Sequence, residues 1–319
     1  MAINFRAGRL PPHSPLTHPR AKFGDHVDAV TIPAPPSAVD WYSHITTWPM
    51  YLNDQLGDCV EAEMGHHEQV LSCYGSGTAV SVLDSAVLKV YEDVGGYDPA
   101  KGPSGDNPTD NGTNIQDALT YWVKTGIAAH RIAAFAEVDV KNVTELKTTV
   151  ALFGPLSIGV NLPNSAVTQT NKGQPWNVVK TDGGIAGGHC VALVGYDDTY
   201  WYAITWGMVQ KVTPAWLGKY LEEAWAPVSA EWVAAQTGND PDGVDLSTLG
   251  DEFAELTGLP DPFLVPPFPQ PTPAPAPGPG PSPDQLLASQ AHDYVTHKHV
   301  GPNKVMAAAL STWMRAKGL

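Results

Sequence analysis

Between Cys59 and Tyr74 the apolar residues Val60, Met64, Val70 and Leu71 recur among Glu and His, the spacing of a helix. The same period predicts helices over residues 82–94 and 114–124, the second opening after Thr113 as its N-cap. Past Pro155 the period shortens. Residues 156–162, 189–196 and 200–206 are β-branched or aromatic runs bounded by Gly, Asp and Asn, which predicts strands. Thr213-Pro214 pairs a cap with proline at the first helical position and predicts a helix to about residue 225. A helical half followed by a β-rich half is an α+β fold.

The flanks lack this periodicity. Residues 1–35, rich in Pro and His, predict an extended arm ahead of a folded domain over 36–245. A linker over 246–283 includes the dense proline run from Pro260, which predicts a stiff, extended spacer. In 284–319, Leu286, Leu287, Ala291 and Tyr294, then Val305, Ala308, Leu310 and Met314, fit two short amphipathic helices. Helices so short are marginal alone, so the tail is expected to dock on a partner or larger assembly.

Charge and composition narrow the function classes. Lys+Arg of 18 against Asp+Glu of 33 gives −15, a surface that repels phosphate backbones and argues against nucleic acid. No apolar run reaches membrane-spanning length, and the first residues lack the apolar core of a secretory signal. Three cysteines, Cys59, Cys73 and Cys190, are too few for a disulfide framework, which points to synthesis in a reducing cytoplasm.

Two of the contexts carry chemistry. Cys59 follows the polar stretch Leu52-Asn53-Asp54-Gln55-Leu56-Gly57-Asp58 and opens a helix, whose positive end favours thiolate. His189 follows Gly187-Gly188 and enters an apolar strand, where a rigid imidazole can take and return a proton. Cys73 and Cys190 read as structural. Glu63, His66, His67 and Glu68 resemble a metal cluster, but adjacent histidines on a helix diverge by about 100°, so they read as a solvated face. Asp106, Asp110 and Asn111 lack the ordered acidic spacing of a calcium loop. No metal or other cofactor is expected.

Five blocks, in order, resemble the papain-like cysteine peptidases. Val39-Asp40-Trp41 is similar to the start of the mature family members, and an ungapped count from Trp41 places Cys59 on the nucleophile. Asn111-Gly112-Thr113, Gly154-Pro155-Leu156-Ser157-Ile158, His189 through Tyr196 and Thr205-Trp206-Gly207 resemble the family's later motifs. The form Gln55-Leu56-Gly57-Asp58-Cys59 looks like divergent bacterial and phage-encoded relatives. The resemblance implies a two-lobed fold and amide hydrolysis by Cys59 with His189, on a peptide or peptidoglycan-type substrate. It places Asn53 where the family's oxyanion glutamine stands, with Gln55 as the alternative. It implies a cleft lined by Gly112, Thr113, Gly188 and Trp206. The family's imidazole-orienting asparagine falls on Ile204, which leaves Thr205 as the orienter. These departures keep open a second reading: an inactive papain-like module with a structural or binding role, virion-associated or in a prophage-encoded assembly. The arm is shorter than the family's usual prosegment, so control by a folded propeptide is not expected.

Overall fold

The computed structural model describes residues 6, 8–28, 32–230, 232–233 and 244–263. Most of the proline run and the whole 284–319 tail lie outside the described residues. Helix α1 (Cys59–Ser76) is followed by α2 (Asp84–Val90), α3 (Ile115–Lys124) and α4 (Val143–Phe153). Later come α5 (Asn164–Asn171), α6 (Pro214–Tyr220) and α7 (Leu246–Thr257). The strands are β1 (Val39–Asp40), β2 (Ala134–Glu137), β3 (Leu156–Pro163) and β4 (Ile185–Tyr196), then β5 (Trp201–Thr205), β6 (Met208–Val212) and β7 (Leu221–Val228). They form one antiparallel sheet of order β2-β7-β3-β4-β5-β6, with β1 paired to β4.

The expected strands form because their residues are covered on both faces. From His189 to Tyr196 every residue of β4 is buried, and so are most of β3. That is why these stretches read as near-continuous apolar runs rather than alternating ones. α1 packs against β4, and its residues Cys59 to Ser72 are all buried. The solvated face expected for α1 is therefore absent. Glu63, His66, His67 and Glu68 are inside, and each finds a partner as buried polar groups must. His66 Nε2 donates to the Pro49 carbonyl at 2.8 Å, and His67 Nε2 to that of Pro155 at 2.8 Å. His67 Nδ1 meets Glu63 at 2.5 Å, and His130 meets Glu68 at 3.1 Å.

Several boundaries move. The cap of α3 is Asn114, whose side chain accepts from the Gln116 N–H, not Thr113. The helix expected over 82–94 begins at Asp84 and closes in a π-turn, Tyr91–Gly95. α6 stops at Tyr220, and residues 221–228 become β7. That segment is paired on both sides, to β2 and β3, and this pairing overrides the helical bias of Glu222-Glu223-Ala224. The folded body also extends beyond residue 245. Asp245 caps α7 by accepting from the Thr248 N–H, and Leu246, Leu249 and Phe253 are buried. α7 rests on β2 and on a 3-10 turn, Phe23–His26, in the arm. The described residues of the arm dock on the body. Besides that turn, the arm bridges Arg9 to Thr113, Lys22 to Glu137 and Val27 to Val244.

Candidate active site

The β5–β6 connection has only two residues, Trp206 and Gly207, both with positive φ, 47° and 68°. This is the backbone of a tight hairpin turn. Glycine adopts it freely, whereas tryptophan adopts it at a cost of roughly 1–2 kcal/mol. What the strain secures is a position. The Trp206 ring lies on the His189 imidazole, centroids 4.7 Å apart and planes 18° from parallel. From the preceding residue, the Thr205 hydroxyl lies 2.7 Å from His189 Nε2. Ile204 is buried in the sheet opposite Ala192 and makes no polar contact there.

Cys59 is the first residue of α1, and the backbone N–H of Cys190 donates to its sulfur. The thiol therefore sits beside the His189–Cys190 step of β4. The thiolate expected from the helix N-terminus is not favoured in this state. Burial pushes the Cys59 thiol up to about 12, with Glu61 and Asp58 adding to the rise and the amides of Cys190 and Gly8 opposing it. Burial, aided by the nearby Arg9 charge, lowers His189 to about 3. At neutral pH thiol and imidazole are both uncharged.

Of the two expected oxyanion donors, one is engaged within its own loop and the other is exposed. Asn53 is buried, and its amide donates to the Leu56 carbonyl at 3.3 Å and the Asp58 carboxylate at 3.2 Å. The shorter side chain spends its N–H groups inside its own loop. Gln55 is exposed, with its backbone held by Leu52 and Ser104. Sequence reasoning also missed the buried carboxylates around the helix start. Asp110 accepts from the Gly57 N–H at 2.9 Å and from the Tyr91 hydroxyl at 2.7 Å, and that hydroxyl accepts from the Gly112 N–H at 2.9 Å. This chain ties the Cys59 loop to the Gly112 loop facing it.

Glu61, in the first turn of α1, is fully buried, and burial raises its carboxyl to about 7 against the pull of the Thr113 hydroxyl. The stability it contributes is full below about pH 4.5, where folded and unfolded states are both protonated, and is lost as pH rises through 7. Glu61→Gln should therefore match the wild type near pH 4 and exceed it by roughly 3 kcal/mol at pH 8, from 1.36 kcal/mol per unit. Urea titrations at the two pH values check this, and a variant no more stable at pH 8 would refute it.

The space over Cys59 is filled by the arm. Thr113 N–H donates to Gly8 O at 2.7 Å and Leu10 N–H to Thr113 O at 2.9 Å, while Gly8 and Arg9 N–H both reach Gly188 O at 3.2 and 3.1 Å. Glycine is required on each side. A Cβ on Gly112 would stand 2.0 Å from Gly8 O, and one on Gly188 2.2 Å from Arg9 O. Gly112, Thr113 and Gly188 thus line a channel that holds extended peptide, while Trp206 supports His189 from behind. From sequence the arm reads only as extended and too short for a folded propeptide, and nothing in it points to this channel. An open depression of about 390 Å³, lined by residues such as Asn164, Gln169 and Asp182, includes none of these residues.

No protein-family model matches the chain, and no curated protein matches its sequence. Solved structures do match. Xylellain, a cysteine protease from Xylella fastidiosa, superposes with a TM-score of 0.54 at 15% identity, over 72% of this chain and 98% of that one. The proform of the ragweed pollen allergen Amb a 11, also a cysteine protease, superposes at 0.50 and 16% identity, over 71% of this chain and 75% of that one. At such low identity the likeness speaks for the fold alone. The helix that opens at Cys59, the sheet strand that carries His189 and these superpositions together give this chain the papain-like cysteine-protease fold.

Proposed function

We propose that this chain is a thiol-dependent hydrolase of peptide amide bonds, held latent by residues 8–10 of its own arm. The observation that carries the reading is the peptide already in the channel, hydrogen-bonded through its backbone to Thr113 on one side and Gly188 on the other, above Cys59. A site that grips main chain in this way is built for polypeptide. The backbone amide of Gly8 is among the groups that reach the Cys59 sulfur, which places the arm over the thiol.

Once the arm is displaced, the Cys59 thiol passes its proton to His189, and the thiolate adds to a substrate carbonyl carbon. Thr205 holds Nε2, so this exchange runs through Nδ1. The Cys59 backbone N–H at the start of α1 faces the developing oxyanion. The imidazolium then protonates the departing amine as the C–N bond breaks, leaving a thioester. Water, deprotonated by His189, hydrolyses the thioester and restores the thiol. The test uses full-length chain carrying Gly8→Ala, which evicts the arm, assayed on casein, fluorogenic peptide amides and cross-linked peptidoglycan. Amide hydrolysis is expected, lost with Cys59→Ala and with His189→Ala. Hydrolysis that survives Cys59→Ala, or none on any substrate with the arm displaced, would mark a papain-like module without this activity.

A further inference from the structure

The Arg9 side chain is buried to 1% exposure, although arginine is seldom buried without paired acceptors. Its Nη1 donates to Glu223 Oε1 at 2.8 Å and to the Leu10 carbonyl at 3.3 Å. Its Nη2 donates to Asn161 Oδ1 at 3.2 Å and pairs with Glu222. The recess belongs to the body. Gly159 and Asn161 come from β3, Gly188 from β4, and Glu222 and Glu223 from β7. Gly159 leaves room for the stem, since a Cβ there would stand 2.7 Å from Arg9 Cδ. Glu223 is fixed from behind by Trp225 Nε1 at 2.8 Å, which aims its other oxygen at the guanidinium. Glu222, about a third exposed, closes the solvent side.

This arrangement was not made for the arm alone. Glu223 is buried in the sheet, and the cation beside it arrives on a segment that must leave for the site to work. An emptied recess would hold a buried carboxylate facing a channel shaped for peptide backbone, one residue along from the amide that touches Cys59. Three acceptor groups around one planar fork suit guanidinium better than ammonium, which carries its donors on a single nitrogen.

Resting on the hydrolase reading above, we propose that Glu222, Glu223 and Asn161 form a subsite that selects arginine in the substrate, next to the reacting bond, and that Arg9 is its occupant in the closed state. Substrates of this chain are then polypeptides cut near arginine, which a peptidoglycan stem without a guanidinium does not satisfy.

The test again uses full-length Gly8→Ala, with fluorogenic peptide amides that differ only in placing Arg, Lys, Leu or Glu at either of the two residues before the labelled bond. At one of these positions Arg is expected to exceed Leu in kcat/KM by at least tenfold, with Lys between and Glu lowest. Glu223→Gln in the same background should bring the Arg-to-Leu ratio below threefold, mainly through KM. Equal rates for Arg and Leu, or a ratio that Glu223→Gln leaves unchanged, would overturn the subsite while leaving the hydrolase reading intact. A binding measurement covers the converse. N-acetylarginine amide should raise the melting temperature of full-length Arg9→Ala, whose recess is empty, more than N-acetylnorleucine amide does. That shift without hydrolysis of any amide would uphold the recess and sink the hydrolase. Equal shifts from the two amides would count against the recess whether or not Gly8→Ala folds.

Discussion

Gly8→Ala is expected to speed the alkylation of Cys59 by iodoacetamide about a thousandfold at neutral pH. A Cβ at residue 8 would lie 1.7 Å from the Gly57 carbonyl oxygen, and this neighbour is backbone that no rotamer change can clear. The arm must lift, and three things change at once. The sulfur gains solvent, so the burial that pushes it to about 12 is relieved and it falls back toward the ordinary 9.0. His189 also gains solvent and loses the Arg9 charge, so its value rises from about 3 toward 6.5, where it can accept the thiol's proton. A drop of three units multiplies the thiolate fraction by about a thousand at any pH below both values, since each unit is tenfold. Cys73, half-exposed at the far end of α1, serves as the internal reference, because its labelling should not respond. In the wild type the Cys59 rate should still climb tenfold per pH unit above pH 9, where that of the variant levels off. Equal Cys59 rates in the two proteins would mean that the Gly57 loop yields instead of the arm, and the latent state would lose its support.

How far the sequence reached follows from what each signal depends on. The Cys59 helix, the His189 strand and the 156–162 strand were legible because local spacing and full burial agree there. The contact between Thr205 and His189 was legible only as an adjacency: a hydroxyl beside the imidazole follows from register, whereas its 2.7 Å approach needs the positive-φ turn at Trp206. β7 was hidden, since Leu221-Glu222-Glu223-Ala224-Trp225 has helical composition and becomes strand only by pairing with β2 and β3. The polar residues of α1 misled for a related reason. Glu63 and His67 look like a wet face until the carbonyl of Pro155, 88 residues away, supplies the missing partner. Nothing local marks Gly8 or Arg9 either. One is a small residue and the other a lone charge until Gly57, Gly188 and Glu223 surround them. The buried carboxylates of Asp58, Glu61 and Asp110 escaped because sequence alone does not separate an acid in solvent from one under a packed loop.

Residues 246–257, which read as linker from sequence and fold as α7, provide the second large expectation. Phe253→Ala should destabilise the protein by about 3–5 kcal/mol, the usual cost of emptying a fully packed phenylalanine site. Phe253 is 2% exposed, and its ring meets that of Phe135 edge-on with centroids 5.4 Å apart. Phe135 in turn meets Trp225 edge-on at 5.8 Å, so the contact continues from α7 through β2 into β7. The ring thus covers one end of the sheet, and alanine would leave that end as a cavity too apolar for water to stabilise. In thermal unfolding the loss corresponds to roughly 10 °C for a domain of this size. Glu255→Ala, on the exposed side of the same helix, controls for helix propensity and should stay within about 0.5 kcal/mol. A spacer behaves differently: removing a side chain from an unpacked segment changes stability by no more than the exposed control does. Equal melting temperatures for Phe253→Ala and Glu255→Ala would return residues 246–257 to the linker. A gap of several degrees between them makes α7 part of the core, and any truncation intended to isolate the folded body must then end after Thr257.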